Sequence, residues 1–140
     1  MGAARRSDLQ SLASSKLEDA RLLLRRNRYS SAYYLAGYAI EFALKSAIAR
    51  QIERHVLPDP RFIRDVYQHD LDRLVGLAKL RTELDNARRA SARLDTNWAI
   101  VSKWSVESRY ELIDRQRSVA MMKAVGEPSS GVFPWVQQHW

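Results

Sequence analysis

The sequence predicts an all-α domain, and three observations carry that reading. Apolar residues recur at the three- and four-residue spacings of a helical face through most of the chain. Only 5 Gly and 4 Pro are spread over 140 residues, too few for the frequent reversals of an all-β chain. The 46% of hydrophobic residues is enough to bury a single core at a length typical of one domain. Residues 1–140 are therefore read as one domain, with 1–7 a flexible N-terminus and 126–131 a linker to a tail helix.

The first helix is expected over about Asp8 to Arg26, with Ser7 as N-cap and Leu9, Leu12, Ala13, Leu17, Ala20, Leu23 and Leu24 on its apolar side. Arg25, Arg26 and Arg28 place cations at its negative end. Ser30 or Ser31 can cap a longer second helix running to about Arg54. Its Ala32, Leu35, Ala36, Ala39, Ile40, Ala43, Leu44, Ala47 and Ile48 leave almost no polar face, so it reads as a central helix packed on several sides. Pro58 and Pro60 predict a loop of about ten residues, since helical geometry is disfavoured before each proline. A third helix starts near His69, where Asp70 and Asp72 suit an N-terminus and Leu71, Leu74, Val75 and Ala78 share a face. Residues 79–104 read as helix, with Asp95, Thr96 and Asn97 a place to break or recap it. Ser105 to Arg109 is a turn, Tyr110 to Val125 a further helix, and Val132 to Trp140 a short amphipathic tail helix.

Composition excludes several classes of function. With no Cys there is no disulfide framework, thiolate zinc site or cysteine nucleophile, and a reducing cytoplasm is the expected compartment. No apolar run approaches the roughly 20 residues that cross a bilayer, so no membrane association is expected. The chain lacks a phosphate-binding Gly-rich loop, a G-x-S-x-G elbow and an H-E-x-x-H pair, and its three His are scattered. No metal or cofactor is called for. The net charge of +7 lies in residues 1–28 and 79–93, the remainder being balanced. Most of the cations are Arg, whose planar fork suits phosphate, which points to a polyanionic partner; solvated helix faces explain the same excess.

On the central helix, Tyr34, Tyr38, Glu41 and Lys45 fall at i, i+4, i+7 and i+11 and form one polar stripe on an apolar rod. Glu41 and Lys45 stand in the favourable order for an ion pair. An acid on a helix buried all round requires either such a partner or a cleft. The segment containing Asn97, Trp98, Lys103, Trp104, Arg109 and Tyr110 is the candidate opposite wall: aromatic planes stack on bases and Arg binds phosphate. The structural alternative is that the tryptophans pack in the core and Arg109 pairs with Glu41.

The run YSSAYYLAGYAIEFALKSAI, followed by HDLDRLVGLA, NWAIVSKWSVESRY and a closing amphipathic helix, resembles the HEPN family (higher eukaryotes and prokaryotes nucleotide-binding domain) from about Ser7 to Trp140. The resemblance implies an all-α fold, an antiparallel four-helix core in an up-and-down bundle with a short extra C-terminal helix, and pairing as a homodimer. It also implies association with a nucleotidyltransferase partner in toxin–antitoxin systems, or metal-independent ribonuclease activity. The family's ribonucleases carry an Arg, four to six residues and a His: the Arg holds the scissile phosphate and the His moves the proton of a 2'-hydroxyl or leaving group. Arg50 to His55 and Arg64 to His69 have that spacing here, one copy ending the second helix and the other preceding the third, whereas the family motif lies toward the last core helices. Residues five apart on an unbroken helix diverge, so only the second pair, across a bend, can converge.

The leading expectation is a HEPN module that binds a nucleotide, RNA or other nucleic acid, or a nucleotidyltransferase, through Tyr38, Glu41, Lys45, Lys103, Trp104, Arg109 and Tyr110. The alternative is a metal-independent endoribonuclease with Arg64 as phosphate clamp and His69 as acid or base. A second alternative is a structural interaction module whose tail covers a partner.

Overall fold

A computed structural model describes residues 4–52 and 56–140. Among them are eight α-helices, one 3-10 segment and no strand, an all-α bundle as the sequence predicts. Helix α1 (Arg6–Arg25) and helix α2 (Tyr29–Gln51) form a hairpin around the short turn through Asn27. Asn27 takes a left-handed φ of 59°, and the Arg28 amide donates back to the Leu23 carbonyl at 2.8 Å, which satisfies a carbonyl that the last turn would leave open. Ser7 lies inside α1 rather than capping it; the start is set by Asp8, whose carboxylate accepts from the Arg5 amide at 3.1 Å. Ser30 does not cap α2 either, because its hydroxyl accepts from the Ile113 amide at 2.9 Å and ties the later chain to the hairpin.

The expected proline loop contains a helix, α3 (Pro60–Val66). Pro60 occupies the first turn, where its missing N–H costs nothing, and the Asp59 carboxylate accepts from the Arg61 amide at 2.7 Å. Helix α4 (Leu71–Leu77) begins beside His69 as expected, capped by Asp70. The long helix expected over 79–104 is two short ones, α5 (Arg81–Ala90) and α6 (Ala92–Val101). They part at Ser91, not at Asp95–Asn97, because Ser91 is extended and its hydroxyl accepts from the Leu94 amide. After the 3-10 segment Val106–Tyr110, helix α7 (Arg115–Gly126) starts five residues later than expected, at the Asp114 cap, and leaves Leu112 97% exposed. Helix α8 (Val132–Gln137) closes the chain.

Helix α2 is the hub, with α1, α4, α7, α8 and the 3-10 segment packed on it, while α6 joins through α7 and α8. Its small residues Ala32, Ala36, Ala39, Ala43 and Ala47 are all buried and let these neighbours approach closely. The tail packs into its own chain through Val132, Phe133 and Val136. The expected linker is a hydrogen-bonded turn: the Glu127 carboxylate accepts from Ser129 and Ser130, which holds its pKa below the usual range, and Asn97 donates to the Ser130 carbonyl at 2.9 Å. No helix among the described residues is long and apolar enough to cross a membrane.

Candidate functional site

The polar stripe of α2 converges with the turn before α4. Leu71, Leu74 and Val75 bury the inner face of α4 against the core, and the Asp70 cap fixes where α4 begins, so the preceding residue, His69, is set down on α2. Its Nδ1 lies 2.7 Å from Glu41 Oε1. The other carboxylate oxygen, Oε2, accepts from Lys45 Nζ at 3.2 Å. The Glu41 side chain is only 1% exposed, and two donors on its two oxygens offset the cost of taking it out of water. A carboxylate accepts and cannot donate, so Nδ1 carries the hydrogen of this bond and Nε2 is the ring nitrogen left to exchange a proton. The His69 side chain is 41% exposed, which leaves the ring open to solvent while one nitrogen is held.

An aromatic cluster surrounds the pair. Tyr38 stacks edge-on against Tyr34 at 5.5 Å and lies 5.0 Å from Phe42 and 6.3 Å from the His69 ring. Burial pushes the Tyr38 phenol above its ordinary value, with the Glu41 charge adding to the rise and Arg109 opposing it. Tyr38 is thus a neutral hydroxyl beside a carboxylate, on the same strip of surface as a held imidazole. Among the described residues no group of three or more His, Cys, Asp or Glu is placed to hold a metal.

A family model for the HEPN domain matches residues 7–125, which takes in α1 through most of α7 and every residue of this cluster. The chain belongs to the HEPN family. Comparison with curated proteins and with solved structures finds no match.

Within this HEPN fold the expected site residues separate. Tyr38, Glu41 and Lys45 meet His69 as one cluster. Arg109 does not pair with Glu41: its guanidinium lies 4.9 Å over the Tyr110 ring and its charge faces Tyr34 and Tyr38, one to two turns away along the stripe. Trp104 is not a stacking platform. It is 2% exposed, seated on Gly37 so closely that a Cβ there would fall 2.2 Å from the indole, and its Nε1 donates to the Tyr34 carbonyl at 3.1 Å. Trp98 is likewise core. Lys103 and Tyr110 are exposed, and among the described residues neither forms a hydrogen bond or ion pair with the cluster. Arg64 is an exposed residue in the last turn of α3, and that helix stops at Val66, before His69. His55 lies outside the described residues, so the Arg50–His55 pair has no counterpart in the description.

Sequence reasoning singled out both Glu41 and His69 and paired Glu41 with Lys45, as observed, but it set His69 with Arg64 and did not bring His69 to Glu41. The available signal was a buried acid that needed a second donor, and a His directly before a capped helix whose apolar face had to dock on α2.

Proposed function

We propose that this HEPN chain binds RNA on the Tyr34–Lys45 face and cleaves it without a metal, with His69 as the proton-transfer group. The observation that supports this reading is the 2.7 Å contact between His69 Nδ1 and the buried Glu41 carboxylate. A carboxylate on one ring nitrogen sets the tautomer and ring orientation and supports positive charge when the other nitrogen takes a proton. In the step proposed, Nε2 removes the 2'-hydroxyl proton, the 2'-oxygen bonds to the adjacent phosphorus, and the bond to the 5'-oxygen breaks. The 5'-oxygen leaves with a proton from solvent, giving a cyclic phosphate and a free 5'-hydroxyl. Arg64 serves as the phosphate clamp, its fork free to close on the two non-bridging oxygens. Lys45 neutralises the second Glu41 oxygen and keeps that carboxylate in place.

The test is RNA cleavage by purified protein in EDTA. His69→Ala and Arg64→Ala should each lower the rate by about 100-fold or more with folding intact. Undiminished cleavage in His69→Ala would sink the assignment, and no cleavage by the wild-type chain on any RNA would return it to a binding role.

A second reading keeps the chain as a non-catalytic HEPN module in a cytoplasmic toxin–antitoxin pair, contacting a nucleotidyltransferase or a second copy of itself. Large apolar side chains left in water support it, the most exposed among the described residues being Leu112 at 97%, Leu57 at 95%, Tyr67 at 77% and Tyr110 at 74%. Mass in solution for wild type and Leu112→Asp tests the homodimer, which the charge should weaken.

A further inference from the structure

A groove opens at the N-terminal end of the same α2 stripe, between the end of α1, the start of α2 and the 3-10 segment. Leu23, Tyr34 and Leu35 form its apolar wall, with Ser31 and Arg109 on its edge, and it encloses about 380 Å³. A second cavity of about 430 Å³ shares Leu23 and is lined by Leu22, Arg26 and Arg28. Three arginines stand among the lining residues of the two cavities. Among the described residues none of these arginines forms an ion pair, so each guanidinium has donors to give. The groove lacks any acidic lining residue.

We propose that this groove is a nucleotide subsite that holds one base and its phosphate of an RNA strand, the strand then running along α2 to His69. The inference rests on the RNA reading of the His69 site. Several features select this occupant. The volume is in the range of small-ligand sites and suits a single base better than a folded segment of protein. Tyr34, Leu23 and Leu35 line the groove with apolar surface of the kind a base rests on, and Arg109 adds the fork that a phosphate uses. The geometry of α2 supplies the spacing. Tyr34 and Glu41 are seven residues apart, about 10 Å along the helix, and the rings of Tyr34, Tyr38 and His69 follow one another along that path. A stacked strand rises about 3.4 Å per nucleotide and an extended one more, so the groove lies two or three nucleotides from the phosphate at His69. A bound base would fix the register of the strand and thereby choose which phosphate is cut.

The experiment uses the full chain and a six-nucleotide RNA with 2'-O-methyl groups throughout, which cannot be cleaved, with binding read by fluorescence anisotropy. Arg109→Ala and Leu35→Trp, the second of which fills the groove, should each weaken binding about tenfold, while Lys123→Ala on α7 should leave it unchanged. Arg109 is exposed, so its variant keeps the test valid if Leu35→Trp fails to fold. Wild-type affinity in Arg109→Ala together with a folded Leu35→Trp would overturn the subsite. AMP that binds as tightly as the hexamer and loses affinity in the same variants would also overturn it, by assigning the groove to a free nucleotide. Because this RNA is not cleaved, loss of the His69 reading in the cleavage assay and loss of the subsite in the binding assay are separate results.

Discussion

Two contacts one helical turn apart on α2 are built on opposite principles. At Gly37 the helix has no side chain, and the Trp104 indole fills the gap so tightly that nothing else fits. At Glu41 the helix carries a buried charge, and the fit is electrostatic: Lys45 and His69 supply one donor to each oxygen. The first contact joins two buried groups and closes the surface. The second joins a buried group to a half-exposed one and leaves an imidazole edge in water. A fold can therefore lock one turn of its central helix for packing and use the next to present a reactive group on a rigid support. What separates the two is the exposure of the partner, since both positions on α2 are themselves inside.

The largest effect should come from breaking the packed contact. Trp104→Ala removes a buried indole and with it the extra donor to the Tyr34 carbonyl, at a cost of about 3–5 kcal/mol in urea unfolding. Gly37→Val should be comparable, because the indole and not a flexible side-chain tip is what a Cβ meets. A folded Gly37→Val of wild-type stability would mean that the indole can swing out, and that the two contacts do not differ in rigidity.

Breaking the electrostatic contact should cost less stability and more activity. Glu41→Leu leaves the Lys45 ammonium without its acid in a site where it is 13% exposed, a loss of about 2–3 kcal/mol. Glu41→Gln and His69→Ala, combined in a double-mutant cycle, should show a coupling of about 1–2 kcal/mol, and additive single effects would show that the 2.7 Å contact carries no energy.

Alkaline pH tests the tyrosines on both faces of α2. Burial raises Tyr38 and Tyr33, against lowering contributions from Arg109 and Arg117 respectively. A raised folded-state pKa means the neutral phenol is favoured by folding, so this stability is complete below the unfolded value of about 10 and is lost as pH climbs past it. Spectroscopic titration should find two tyrosines ionising above the ordinary phenol value of about 10, and Tyr38→Phe should remove one of them.

The smallest effect concerns the helix ends. Lys79 sits at φ 59° at the end of α4, with the Leu80 amide donating to the Val75 carbonyl at 3.1 Å. Lys79→Gly should raise stability by up to about 1 kcal/mol by relieving the left-handed backbone, without touching either α2 contact. A loss of stability would show that the Lys side chain contributes more than its backbone strain costs.

The hairpin of α1 and α2 was almost fully legible, because each helix is long enough for its apolar spacing to outweigh errors at its ends. The Glu41–Lys45 pair was legible too, since residues four apart on a helix are neighbours in any fold. Past Ile52 the reading was coarser. Helix α3 was hidden behind Pro60, α5 and α6 were fused across Ser91, and α7 was begun too early because Tyr110 and Leu112 continue its apolar pattern while Asp114 sets its start. In each case a side-chain cap, worth about 1 kcal/mol and one residue wide, overrode a pattern that runs over many residues.

Sequence alone determined the helical class, the central place of α2 and the polar stripe along it, because these follow from periodicity within one segment. Only the tertiary structure decided which partner each stripe residue meets. Glu41 takes His69 and not Arg109, and Trp104 packs on Gly37 in place of facing a ligand, because those choices depend on how separate helices dock. Docking is governed by shape and by the need to satisfy a buried carboxylate, and neither quantity is contained in the spacing of residues along one helix.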